Sequence, residues 1–148
     1  MPDIPHDSRQ SAQAPFHLSL HVTDLAASRT FYGEILGCQE GRSTDQWVDF
    51  DFFGNQLSLH LGTPTSTTLT GKVESVAVPM PHFGAVLEVR EWQRLADRLA
   101  QHPHYLIMPP ADRNAAAAGA QHTFFCQDPS GNAIEFKAMQ DGAGLFDV

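Results

Sequence analysis

Five side chains suited to metal or acid–base chemistry fall in strand-like sequence. They are His17 and His21 in "FHLSLHV", His60 in "QLSLHL", His82 in "HFGAVLEV" and Glu135 in "NAIEFKAM". Glu135 is out of place there, standing between Ile134 and Phe136 in a stretch that otherwise reads as core. Side chains alternate faces along a strand, so Phe16, Leu18, Leu20 and Val22 point one way and His17, Ser19 and His21 the other. By the same parity Phe83, Ala85, Leu87 and Val89 oppose His82, Gly84, Val86 and Glu88, and Ile134 and Phe136 oppose Glu135. A lone strand histidine is usually a core or surface residue. Here His17, His82 and Glu135 stand at equivalent depths on open faces and make the donor set of a 2-His-1-carboxylate metal site, with positions left for water or substrate.

Two more histidines are candidates for handling a proton. His60 lies two residues beyond Ser58 on the same face, about 6.6 Å further along the strand. It could be a fourth ligand after a register shift, a general base or a surface histidine. His21 is too far from His17 to share one ion easily, but within reach of a substrate or a supporting carboxylate. Arg42 and Arg113 could meet an anionic substrate, although a surface arginine is the default. Asp49 and Asp51 alternate with Val48, Phe50 and Phe52, as a solvated face or as substrate contacts.

The elements that must position these residues occur twice. In the first half, strand "FHLSLHV" is followed by Asp24 as a helix N-cap, the helix "LAASRTFYGEIL" with Gly37 as its C-cap, and strands "WVDFDFF" and "QLSLHL" around Gly54-Asn55. In the second half, "HFGAVLEV" leads to the helix "EWQRLADRLA", with Trp92, Leu95, Ala96 and Leu99 on one face, then strands "YLIM", "HTFFCQ" and "NAIEFKAM". Gly54-Asn55-Gln56-Leu57-Ser58-Leu59 lies over Gly131-Asn132-Ala133-Ile134-Glu135-Phe136, which marks a duplicated βαβββ unit. Each unit has one helix-covered face, leaving the other faces to enclose a ligand together. Residues 1–14 read as a loose leader and 15–140 as one domain, with module one at about 15–62, a Thr/Ser/Pro/Gly-rich linker at about 63–81 and module two at about 82–140. Residues 141–148 form a tail, and 109–121 read as a long loop.

Bulk properties narrow the partners. The formal net charge of −8, with 9 Lys and Arg against 17 Asp and Glu, argues against nucleic acid. No apolar run approaches the roughly 20 residues of a membrane-spanning helix, and the N-terminal stretch lacks the h-region of a signal peptide. Cys38 and Cys126, far apart in the chain, fit buried thiols in a reducing cytoplasm better than a disulfide. The expectation is a cytoplasmic protein acting on a small molecule, with no nucleic-acid or membrane partner.

"FHLSLHVTDLAASRTFYGEILG" and "FFCQDPSGNAIEF" resemble the opening and closing signatures of the vicinal oxygen chelate superfamily, which includes glyoxalase I, fosfomycin-resistance thiol transferases, bleomycin-binding proteins and extradiol dioxygenases. The resemblance covers roughly residues 16–139. "GCQEGRS", "WVDFDFFGNQLSLHL" and "VPMPHFGAVLEV" are similar to small bacterial proteins described as predicted extradiol-type dioxygenases. The resemblance implies an α+β fold of two βαβββ modules in a glyoxalase-like open-barrel cleft. It places the metal ligands on His17, His82 and Glu135. It also implies a divalent ion, with Fe(II) or Mn(II) favoured and Zn(II), Ni(II) or Mg(II) as alternatives, and a homodimer, some relatives sharing a site between chains. Where glyoxalase-type members carry a fourth ligand, the repeat puts Ser58, a poor ligand for a divalent ion. That departure favours a dioxygenase acting on a catechol-like substrate with adjacent oxygens. The alternatives are a glyoxalase-like isomerase or lyase, or a thiol transferase, using a redox-inert metal, and a non-catalytic drug- or antibiotic-binding protein.

Overall fold

The structure is a computed structural model describing residues 14–73, 75–113, 121–139 and 144–146. The chain runs β1 (His17–Val22), α1 (Leu25–Arg29), β2 (Gln39–Ser43), β3 (Trp47–Phe52), β4 (Asn55–Leu61), β5 (Thr68–Val73), β6 (Val76–Met80), β7 (His82–Val86), α2 (Val89–Ala100), β8 (Leu106–Arg113), β9 (Gln121–Gln127) and β10 (Ala133–Met139). Two four-stranded sheets result, ordered β1-β4-β3-β2 and β7-β10-β9-β8. The duplication is thus an α+β architecture of two like modules, as the sequence pattern predicts.

Register makes the equivalence of the modules residue-specific. In module one the parallel pair β1/β4 sets Ser19 beside Ser58, and in module two the parallel pair β7/β10 sets Gly84 beside Glu135. His17 and His82 each lie two residues earlier, so they occupy matching positions. The turns entering β4 and β10 match as well, with Gly54 and Gly131 both at φ 87°. A backbone at that angle strains any residue with a Cβ, which is why glycine recurs there.

Local chemistry accounts for both helices. Asp24 caps α1 by accepting a 3.0 Å bond from the Ala27 amide. The helix then widens into a π-type turn over Thr30–Ile35. Phe31, Tyr32, Ile35 and Leu36, spaced i, i+1, i+4 and i+5, share one face of this segment and are all buried. Helix α2 buries Trp92, Leu95, Ala96 and Leu99, the face its sequence spacing marks.

The modules meet through their helix-covered faces. Phe52 of β3 packs against Phe83 and Phe136, with ring centroids 5.4 and 5.8 Å apart, and Phe53 packs against Phe136 at 5.3 Å. Burial of aromatic side chains is the largest apolar contribution available to so small a domain. It draws both modules into one core, containing Leu57, Leu59, Leu99, Phe124, Ile134 and Phe136. The faces carrying His17 and Glu135 are therefore the ones turned away from this shared core.

Two segments differ from their sequence reading. Strand β2 is formed by five exposed residues, without the apolar alternation that marks the other strands; it pairs with β3, and its Glu40 accepts a 2.9 Å bond from Arg29 of α1. The segment read as a linker does join the modules, but Thr68–Val73 and Val76–Met80 fold into an antiparallel hairpin. Its Thr and Val content suits strands, and β pairing supplied the order that periodicity did not show. In the 109–121 stretch, β8 continues to Arg113 and β9 starts at Gln121; 114–120 lie outside the described residues, as do 1–13 of the leader and most of the tail.

Candidate functional site

Glu135 lies mid-strand in β10 on the face opposite Ile134 and Phe136, and is 7% exposed. A carboxylate so buried needs a cation or hydrogen bonds. Its partner is Lys137, two residues along the same face, whose Nζ stands 3.2 Å from Oε1. The backbone behind Glu135 is pressed closely by β7, for a Cβ at Gly84 would fall 1.6 Å from the Glu135 carbonyl oxygen. Only glycine allows that approach.

His82 shares this face. Its ring meets Phe125 edge-on at 5.1 Å, and Nδ1 donates a 2.6 Å hydrogen bond to the Pro79 carbonyl. A donor bond from Nδ1 fixes the tautomer with Nε2 as the free acceptor, the arrangement by which proteins orient a ligating or basic imidazole. The donor types and the orientation of His82 fit a divalent ion.

His17 occupies the matching place on module one, exposed, with Nε2 3.3 Å from Ser19 Oγ. Ser58, which the repeat aligns with Glu135, instead donates to Asp49. Asp49 is buried, accepts further from Gln56 Nε2 at 3.3 Å, and has Arg42 3.8 Å away. Module one thus keeps its carboxylate one strand over from the Ser58 position, tied up by hydrogen bonds. Asp49 is a buried, hydrogen-bonded residue rather than a solvated face residue.

His21 and His60 are cross-strand neighbours at the far end of the same face. With Ser19, Thr65 and Asn132 they line a groove of roughly 320 Å³. His21 Nδ1 bonds to the Thr63 carbonyl at 3.2 Å, and its ring fills the space where a Cβ on Gly62 would stand, 2.8 Å away. His60 lies against the Trp47 ring, with centroids 6.3 Å apart. Asn132, from the turn before β10, reaches across to the His21 carbonyl at 3.0 Å and so ties module two to this groove.

The fold groups His82 with Glu135 and His21 with His60, while His17 stands on the other module. Among the described residues, no three His, Cys, Asp or Glu side chains of one chain converge as a metal-holding group. The other described histidines lie elsewhere: His122 stacks on Trp92 and bonds Asp112, and His102 and His104 pack around Tyr105. Lys137 is the residue on the Glu135 face that reading for ligands passes over. Its signal was available, since i and i+2 share a strand face.

The turn ahead of β10 is structural. Asp128 is 2% exposed and its carboxylate accepts four hydrogen bonds, from the amides of Ser130 and Asn132, the Asn132 side chain and the Tyr32 hydroxyl.

Residues 15–136 match the family described as the Glyoxalase/Bleomycin resistance protein/Dioxygenase superfamily. Comparison with curated proteins gave no match. Among solved structures, a glyoxalase/bleomycin resistance protein/dioxygenase from Alicyclobacillus acidocaldarius is 27% identical, with a TM-score of 0.71 over 86% of this chain and 92% of the other. Lactoylglutathione lyase from Agrobacterium tumefaciens (19% identity, TM-score 0.60, 84% of this chain and 92% of the other) shares the fold. So does the fosfomycin resistance protein FosX from Listeria monocytogenes (18% identity, TM-score 0.60, 84% and 92%). A family match over most of the length, on a fold of two like modules, shows that the chain belongs to the glyoxalase/bleomycin resistance protein/dioxygenase, or vicinal oxygen chelate, superfamily.

Proposed function

We propose that the protein is a metal-dependent enzyme acting on a small molecule with two adjacent oxygen atoms, most simply as an extradiol-type dioxygenase on a catechol-like diol. The observation that carries this reading is the placing of His82 and Glu135 on one face, with His82 Nδ1 bonded to Pro79 so that Nε2 is the free acceptor. Members of the superfamily generally use a divalent ion, and His17, His82 and Glu135 are the residues that would hold it here, Fe(II) or Mn(II) suiting two imidazoles and a carboxylate. The ion, when bound, would supply Lewis acidity toward both substrate oxygens. His21 and His60 lie along the same open face as His17 and would accept or return the substrate proton. Ser58, engaged with Asp49, leaves the site with three protein ligands.

The site is proposed to form between two copies in a C2 homodimer, His17 of one protomer joining His82 and Glu135 of the partner subunit. Three features support this. The two open faces of one chain turn away from its shared core. Among the described residues, the histidine strands β1 and β7 are the edges of their sheets. Exposed Phe16, Leu61, Met80 and Val86 lie on or beside these edges and β4.

Metal analysis of protein purified from its own host, followed by oxygen uptake with a panel of catechols on the Fe(II)-loaded protein, tests the reading. Ring cleavage with oxygen consumption is expected. Turnover with Zn(II) or Mg(II) and no oxygen uptake would select an isomerase, lyase or thiol transferase instead. Ligand binding unaffected by Glu135→Ala would select a non-catalytic binding protein.

A further inference from the structure

Lys137 has no place in a three-ligand metal site, yet its ammonium is held on the proposed ligand Glu135 at 3.2 Å. Across β9, Thr123 is its register partner on the same face. Thr123 is fully buried, and its Oγ1 has no hydrogen-bond partner among the described residues. Native structures rarely carry such an orphan without a use for it. The strip beside Glu135 therefore holds one cation and one unsatisfied hydroxyl.

A divalent ion held by Glu135 would compete with the ammonium for the same carboxylate, because two positive charges sharing one partly buried anion repel. The Lys137 side chain is a third exposed and flexible, so it can leave the carboxylate without leaving the face. From there its charge is available to an anionic group on a chelating ligand.

We propose that Lys137 is an exchangeable cation: it neutralises Glu135 in the metal-free protein and, once the ion is bound, selects chelating substrates that carry an additional carboxylate. This rests on the metal site proposed above. Lys137 is thereby a specificity-determining residue, and the substrate class narrows from catechol-like diols to their carboxylated forms, with Thr123 as a hydroxyl partner beside it.

The test is calorimetry on the full chain in two stages. Mn(II) alone is first titrated into wild type, Lys137→Met and Lys137→Arg. Catechol and 3,4-dihydroxybenzoate are then titrated into each Mn(II)-loaded protein. Lys137→Met is expected to bind Mn(II) about ten-fold more tightly, because the competing cation is gone. The loaded variant is expected to bind 3,4-dihydroxybenzoate about ten-fold more weakly, with catechol unchanged, and Lys137→Arg should restore the wild-type pattern. These opposite movements separate a charge role from damage to the fold, which would weaken every binding step together. Wild-type Mn(II) binding with no preference for the carboxylated diol, or a preference that survives in Lys137→Met, would overturn the inference and leave the metal reading intact. Failure of wild type to bind Mn(II) would overturn both.

Discussion

The hydroxyl of Tyr32, in the helical segment of module one, donates a 2.8 Å hydrogen bond to Oδ2 of Asp128, in the turn that launches β10 of module two. Ninety-six positions separate the two in sequence, and both are buried. The bond couples module one to the turn that sets where β10, and so Glu135, begins. Tyr32→Phe removes a hydrogen bond to a charged group and leaves Asp128 with three donors. The expected loss is about 1.5–3 kcal/mol of unfolding free energy, read from urea denaturation with the slope unchanged.

Alkaline pH should expose the same contact. Burial first, and then the Asp128 charge, raise the Tyr32 phenol well above 10. Burial likewise lifts the Cys38 thiol to about 12, and raises the Cys126 thiol. In the unfolded chain these groups lose their protons near their ordinary values, while the folded chain keeps them. Stability is then complete below about pH 8.5 and falls as pH rises through the thiol range and past 10. Urea midpoints measured between pH 7 and 11 should decline in that order, and Tyr32→Phe should flatten the upper part of the curve. Both thiols should resist an aromatic disulfide reagent at pH 8 until the protein is unfolded.

Sharing of the site between chains can be read by complementation. His17→Ala and Glu135→Ala should each lose Mn(II) binding while keeping the circular dichroism of wild type, since His17 is exposed and Lys137 can be solvated without its partner. Mixing the two under exchanging conditions produces heterodimers with one intact site each. About a quarter of the wild-type metal capacity should return. No return would place the ligands within single chains.

Gly84 sets a steric test. A Cβ there would lie 1.6 Å from the carbonyl oxygen of Glu135, so Gly84→Ala must push β7 away from β10. The expected effect is a loss of more than about 3 kcal/mol in stability, with metal affinity lost alongside. Gly131→Ala meets open space and carries only the strain of φ 87°, so about 1–2 kcal/mol is expected, by the same denaturation assay.

Much of this protein is legible along the chain, because strand parity and helix spacing are local. The alternation in "FHLSLHV" put His17 opposite Leu18, the pattern in "NAIEFKAM" turned Glu135 away from Ile134, and the matching Gly-Asn turns exposed the duplication. Register then confirmed the equivalence of His17 with His82 and of Ser58 with Glu135. What parity could not supply was which module faces which. That was decided by Phe52, Phe53, Phe83 and Phe136, whose packing joins the helix-covered faces within one chain and leaves the faces carrying His17 and Glu135 on the side opposite this core. The roles of Asp49, Asp128 and Lys137 were equally out of reach, because a carboxylate or ammonium on a strand looks the same in sequence whether water or a neighbouring side chain satisfies it. Only the folded chain brings Ser58 to Asp49, Tyr32 to Asp128 and Lys137 to Glu135. The pattern of faces is a property of each strand alone, whereas the pairing of faces and charges is settled by contacts between residues far apart in the chain.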